Sequence, residues 1–126
     1  MTKRVLDVGN CVPDHAAIRG MLQRSFGAEV VQVDGPDDAL AALRKEPFDL
    51  IVVNRKLDQD YSDGLDVIKA IKADAKLASV PCMLITNYPD QQQTAVAAGA
   101  EYGFGKKELQ SDETQARLAK FLSPKS

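Results

Sequence analysis

The run Phe48-Asp49-Leu50-Ile51-Val52-Val53-Asn54 constrains this chain more than any other stretch. It is short, almost wholly apolar and rich in β-branched side chains. A strand covered on both faces of a parallel sheet reads this way. It breaks off at Asn54, and Arg55, Lys56 and Asp58 follow at once. In open α/β sheets, ligands and chemistry collect beyond the carboxyl ends of the strands. The group that ends this central strand therefore bears on function, and here it is a neutral amide.

The other strands are placed by the same logic. Val5-Leu6-Asp7-Val8 reads as a first strand interrupted by one acid, followed by a loop over 9–13. Asp14 is the expected N-cap of a helix running to about Phe26, with Ala17, Ile18, Met21 and Leu22 inward. Glu29–Val33 is a second strand whose mixed polarity suits a sheet edge. Asp34-Gly35-Pro36 is a turn, with Asp34 the expected cap of a helix carrying Ala39, Leu40, Ala42 and Leu43. A polar loop over 55–64 precedes a helix with Leu65, Ile68 and Ile71 at helical spacing. Residues 81–86 form a fourth buried strand, 91–98 a weakly amphipathic helix and 101–104 a short fifth strand. Ser111 caps a last helix with Ala116, Leu118, Ala119 and Phe121 inward, and 123–126 is a tail.

Strict alternation of five strands and five helices implies a parallel sheet with helices on both faces. We expect a single domain over 1–126 with its core at about 3–122. Apolar residues make up 44%, enough for an ordinary core. With 16 basic and 18 acidic side chains the net charge is −2, which argues against nucleic-acid binding through a basic surface. No apolar run approaches the ~20 residues that span a bilayer, and 1–4 carry no signal pattern. A cytoplasmic location without membrane contact is the expectation. Cys11 and Cys82 form no CxxC motif and read as reduced thiols, and His15 reads as a surface imidazole.

Several landmarks now fall in order: an apolar strand ending in Asn54, then Leu57 and Asp63-Gly64; a fourth strand ending in Thr86; Ala97-Ala98-Gly99-Ala100 before the fifth strand; and Lys106 after it. Residues 71–81 look like an extended connection. In this order and spacing the chain resembles the receiver domain of two-component response regulators. The resemblance covers about 3–121. It implies a flavodoxin-like three-layer (βα)5 fold with strand order 2-1-3-4-5 and a site at the carboxyl ends of strands 1, 3 and 5. In that family an Asp ending strand 3 takes a phosphoryl group from a histidine kinase. Two acids after strand 1 help it hold Mg²⁺, which wants oxygen ligands. The metal and a Lys after strand 5 neutralise developing charge.

Carried over position by position, the pattern is degenerate here. The phosphoacceptor falls on Asn54 and the acidic pair on Gly9 and Asn10. Thr86 and Lys106 are retained, Lys107 stands where proline is usual, and the switch aromatic falls on Gly103, flanked by Tyr102 and Phe104. The loop after strand 3 looks about two residues longer than usual. An amide is a poor nucleophile and brings no charge, so phosphorylation at Asn54 is excluded by chemistry. With no carboxylate to offset dehydration, Mg²⁺ binding is not expected.

The expected function is a pseudo-receiver: a signalling domain, not an enzyme, that works by binding a protein. That partner would be a histidine kinase or output protein, held on the face of helix 4, strand 5 and helix 5 through Gln92, Ala95, Tyr102 and Phe104. Two alternatives stand beside it. One is phosphorylation at a displaced acid, Asp58, Asp60 or Asp63. The other is a sensor of anions or small ligands using Arg55, Lys106, Lys107 and Thr86. Asp7 lies two residues before Gly9 and so on the same strand face. It is expected to reach into the space vacated at Gly9 and pair with Lys106, and Lys106 is also a candidate contact of Asn54.

Overall fold

The computed structural model describes residues 2–123. Of the tail read at 123–126, residues 124–126 lie outside the described residues. Strand β1 (Arg4–Val8) leads into α1 (Val12–Phe26), β2 (Glu29–Val33) and α2 (Pro36–Lys45). Then come β3 (Leu50–Asn54), α3 (Gly64–Ala73), β4 (Cys82–Ile85), α4 (Pro89–Ala97), β5 (Glu101–Phe104), a 3₁₀ turn (Lys106–Glu108) and α5 (Asp112–Leu122). The strands form one parallel sheet in the order β2-β1-β3-β4-β5. This is the flavodoxin-like three-layer fold that the alternation and the resemblance imply.

Two cores follow from the pleat, because successive strand side chains point to opposite faces. Leu6, Val8, Ile51, Val53 and Leu84 pack under Ala39 and Leu43 of α2, Val67, Ile68 and Ile71 of α3, and Ala95 of α4. Val5, Leu50, Val52, Met83 and Ile85 pack under Ile18, Met21 and Leu22 of α1 and Leu118 and Leu122 of α5. Each fully buried aliphatic side chain contributes about 1.5–3 kcal/mol, so the central run 50–53, with every residue buried, anchors both layers. Strand β2 lies at the edge, as its mixed polarity predicts.

Several local expectations are corrected. The cap of α1 is Cys11, not Asp14, because Pro13 is pre-organised for the first helical turn and starts the helix early. Ala17 and Ala116 face solvent rather than the core. Gly35, not Asp34, caps α2, and α4 begins at Pro89 instead of Gln91, again a proline in a first turn. Ser111 does cap α5, its Oγ accepting from the N–H of Thr114 at 3.2 Å.

Candidate functional site

The carboxyl ends of the strands meet at a cleft of about 200 Å³ lined by Asn54, Arg55, Lys56, Ile85, Thr86, Asn87, Tyr88 and Lys106. Asn54 ends β3 half-buried. Its Nδ2 donates to the carbonyl of Lys56 at 2.7 Å and, more weakly, to that of Gly9 at 3.5 Å. The amide is thus engaged with backbone rather than with Lys106, correcting the expected Asn54–Lys106 contact. Thr86 is buried at the end of β4, and its Oγ1 accepts from the N–H of Tyr88 at 3.2 Å.

The loop after β3 folds back on the site. Lys56 pairs with Asp63 in an antiparallel bridge. The N–H of Leu57 donates to Ser62 and that of Asp58 to Gly9, both at 2.9 Å. Leu57 is 1% exposed and covers Gly9, whose φ is +79°. A Cβ at Gly9 would collide with the Leu57 side chain. The first acidic-pair position therefore lacks a carboxylate, and a side chain there would have to displace the Leu57 side chain and adopt a strained positive φ. The displaced acids are in part committed locally. Asp60 accepts from Ser62 N–H at 3.0 Å and from its hydroxyl at 2.6 Å, which holds its carboxyl below the usual range. Asp63 caps α3 by accepting from Leu65 N–H at 3.0 Å.

Strand β1 holds a different arrangement from the expected one. Asp7 is fully buried, and it pairs with α1 rather than with Lys106. Nδ1 of His15 lies 2.6 Å from Asp7 Oδ2, and Asn10 Nδ2 donates to Asp7 Oδ1 at 2.5 Å. The reason is geometric: Asp7 shares the pleat face of Val5 and Val52, which α1 covers, and His15 projects from the first turns of that helix. His15 is correspondingly tucked in, its side chain 14% exposed, and is not the free surface imidazole expected. Burial pushes the Asp7 carboxyl above its ordinary range; the hydrogen bonds from His15 and Asn10 and the charges of His15 and Lys106 oppose that push. Asn10, at the second acidic-pair position, is 2% exposed, and its Oδ1 has no hydrogen-bond partner among the described residues.

Lys106 turns to Asp14, the residue wrongly expected to cap α1, and its Nζ donates to Oδ2 at 2.6 Å. That hydrogen bond holds Asp14 below the usual carboxylate range, with a smaller contribution from the Cys11 side chain. Both partners are about a third exposed, so the pair contributes at most about 1 kcal/mol. Arg55 lies with its guanidinium 5.6 Å over the ring of Tyr88.

The proposed docking face is also corrected in detail. Gln92 and Ala95 of α4 and Phe104 of β5 are buried. Of the four residues named from sequence, only Tyr102 is exposed, and Arg117 of α5 stacks on it at 4.4 Å. Buried Gln92 went unread because a glutamine in a weakly amphipathic helix carries no burial signal.

With this geometry in place, comparison with known proteins decides the family. The sequence profile described as "Response regulator receiver domain" matches residues 11–119. This chain is a response regulator receiver domain. Solved structures agree at the level of the fold. NtrX from Brucella abortus is 24% identical with a TM-score of 0.79; the match covers 97% of this chain but only 27% of NtrX. The chemotaxis protein CheY4 of Vibrio cholerae is 23% identical with a TM-score of 0.71, over 95% of each chain. The receiver domain of a sensor histidine kinase from Pseudomonas aeruginosa is 20% identical with a TM-score of 0.73, over 97% of this chain and 98% of that one. That last receiver has a magnesium ion coordinated in its active-site cleft.

The three positions that supply carboxylates in the family pattern are Asn54, Gly9 and Asn10. Asn54 is turned to carbonyls, Gly9 is covered by Leu57, and Asn10 is buried against Asp7. Among the described residues, no three His, Cys, Asp or Glu side chains converge as a metal site.

Proposed function

We propose that this receiver domain signals without phosphorylation at the end of β3, by binding a protein partner. The observation that carries the reading is the state of Asn54: its amide hydrogen-bonds the carbonyls of Lys56 and Gly9, where a nucleophilic carboxylate would be needed. The missing acids around it argue the same way. A phosphoryl group arriving here would meet no nucleophile and no anionic ligands to hold a charge-neutralising metal. On this reading the domain is not an enzyme, needs no Mg²⁺ and works in the cytoplasm. Among the described residues, no helix is long and apolar enough to cross a membrane.

Receiver domains work with proteins such as kinases and output domains, and we assign this one a partner on the face of α4, β5 and α5. The side chains offered there are Tyr102, Arg117, Glu113 and Val96, not the buried Gln92, Ala95 and Phe104.

The test is incubation with acetyl phosphate and Mg²⁺ followed by intact mass. The expected result is an unchanged mass. Gain of a phosphoryl group, mapped by peptide mass to Asp58, Asp60 or Asp63, would overturn the reading in favour of a displaced acceptor. The cleft also supports a second reading, as an anion sensor. Arg55 lines it and has no carboxylate partner among the described residues. Thermal stabilisation by inorganic phosphate or sulfate, abolished in Arg55→Ala, would favour that reading.

A further inference from the structure

Strand β5 does not run in register with β4. Met83 pairs with Glu101 while Ile85 pairs with Phe104, so β5 carries one residue more than β4 across this span. Such a bulge leaves ladder groups without their usual partners. The bulge falls at Tyr102 and Gly103, and side chains from both neighbouring helices reach into it. Gln92 of α4, 2% exposed, accepts from the N–H of Gly103 at 2.8 Å through Oε1. Its Nε2 donates to the carbonyl of Leu84 at 2.9 Å and to that of Thr86 at 3.3 Å. One amide thus does the work of a missing ladder rung between β4 and β5. From the other layer, Arg117 of α5 donates to the carbonyl of Gly103 at 3.1 Å.

Both backbone groups of Gly103 are therefore held by side chains, one from α4 and one from α5. Only glycine admits this arrangement. A Cβ there would collide with the carbonyl oxygen of Leu84 and crowd Met83 Cβ at 3.2 Å and Gln92 Oε1 at 3.3 Å. The residue that breaks the aromatic pattern of the family is the one that lets the two helices be pinned.

We propose that Gln92, Gly103 and Arg117 form a clasp that holds α4, β5 and α5 in one fixed arrangement. This rests on the reading that the domain works in a single state through protein contacts, and it names what fixes that state. Buried polar groups that are fully paired rigidify a site, and the same groups left unpaired loosen it. The clasp would keep the exposed Tyr102–Arg117 stack in one pose for a partner.

Amide hydrogen exchange of the whole chain by NMR tests the clasp. In the unchanged protein the Gly103 amide should be protected like that of Thr86, which donates to Phe104. In Gln92→Leu, the Gly103 amide and those of 89–97 should exchange about two- to tenfold faster, the range one net hydrogen bond is worth. Amides of β1 and β3 should be unchanged. If Gln92→Leu does not fold, Gln92→Asn, one methylene too short to bridge the strands, gives the same readout. Arg117→Met should loosen α5 while leaving the Gly103 amide protected. A Gly103 amide that exchanges like an exposed loop in the unchanged protein overturns the clasp. So does a folded Gln92 variant in which α4 exchanges at the original rate. Phosphoryl uptake in the mass assay would overturn the unphosphorylated reading while leaving these exchange rates as they are, so the two failures are distinguishable.

Discussion

Asn54→Asp restores the carboxylate that the receiver pattern has at the end of β3, and the structure says what that change would do. The amide now donates to the Lys56 carbonyl at 2.7 Å and weakly to the Gly9 carbonyl at 3.5 Å. A carboxylate turns that donor into an acceptor and faces two carbonyl oxygens. A lost hydrogen bond costs about 0.5–1.5 kcal/mol, and a group left unpaired away from water about 1–3 kcal/mol. The site is half-buried and Arg55 and Lys56 lie on the same loop, so water and nearby cations offset part of the repulsion. The expected loss is about 1–2 kcal/mol at pH 7. With an ordinary urea dependence for a small domain, the midpoint falls by roughly 0.5–1 M. At pH values below about 4 the new carboxyl is protonated and can donate again, so the deficit shrinks. Urea titrations of both proteins at pH 7 and pH 4 read this directly. The variant should also fail to gain a phosphoryl group from acetyl phosphate with Mg²⁺, because Gly9 and Asn10 supply no carboxylate to offset dehydration of the metal. A variant as stable as the original at pH 7, or one that is phosphorylated at this position, refutes the reasoning.

The buried acid on β1 and the two thiols give further tests. The Asp7 carboxyl is raised from its ordinary 3.8, chiefly by burial, so the folded protein holds this proton more tightly than the unfolded chain. Its contribution is fully present below the ordinary value and is lost as pH rises through the raised one. The stability of the original protein relative to Asp7→Asn should therefore be flat below pH 3.8 and fall as pH increases above it. Urea midpoints of both proteins across that range measure the difference, and a relative gain with rising pH would contradict the burial argument. Burial likewise pushes the Cys82 thiol up to about 11, whereas Cys11 is half-buried at the start of α1. Ellman's reagent at pH 8 should label Cys11 in the native protein and reach Cys82 only after denaturation; rapid labelling of both would show that β4 opens.

Much of this molecule was legible in one dimension. The buried run 50–53 placed the central strand, and strict alternation of strands and helices required a parallel, doubly covered sheet. The polarity of Glu29–Val33 marked an edge. The identities at Asn54, Gly9, Asn10 and Gly103 are read without coordinates, and the absence of a carboxylate at the first three is a matter of residue type alone. Helix starts were less legible. Asp14 and Asp34 each looked like a cap, but Pro13 and Pro36 lie in the first turns and moved the caps to Cys11 and Gly35.

The amino-acid sequence by itself determined the fold class, the order of the elements and the absence of carboxylates at Gly9, Asn10 and Asn54. Those depend on residue type and spacing, which are properties of the chain in order. Tertiary structure decided who partners whom. Asp7 takes His15 and Asn10, Lys106 takes Asp14, Leu57 covers Gly9, and buried Gln92 reaches Gly103 across two elements. The Asp7–His15 pair depends on which strand face α1 covers, the Gly9 contact on how the loop after β3 folds back, and the Gln92–Gly103 bond on the one-residue slip of β5 against β4. A slip of one residue turns side chains to the opposite face and leaves backbone groups unpaired. Only the assembled sheet shows which side chain is close enough to take them.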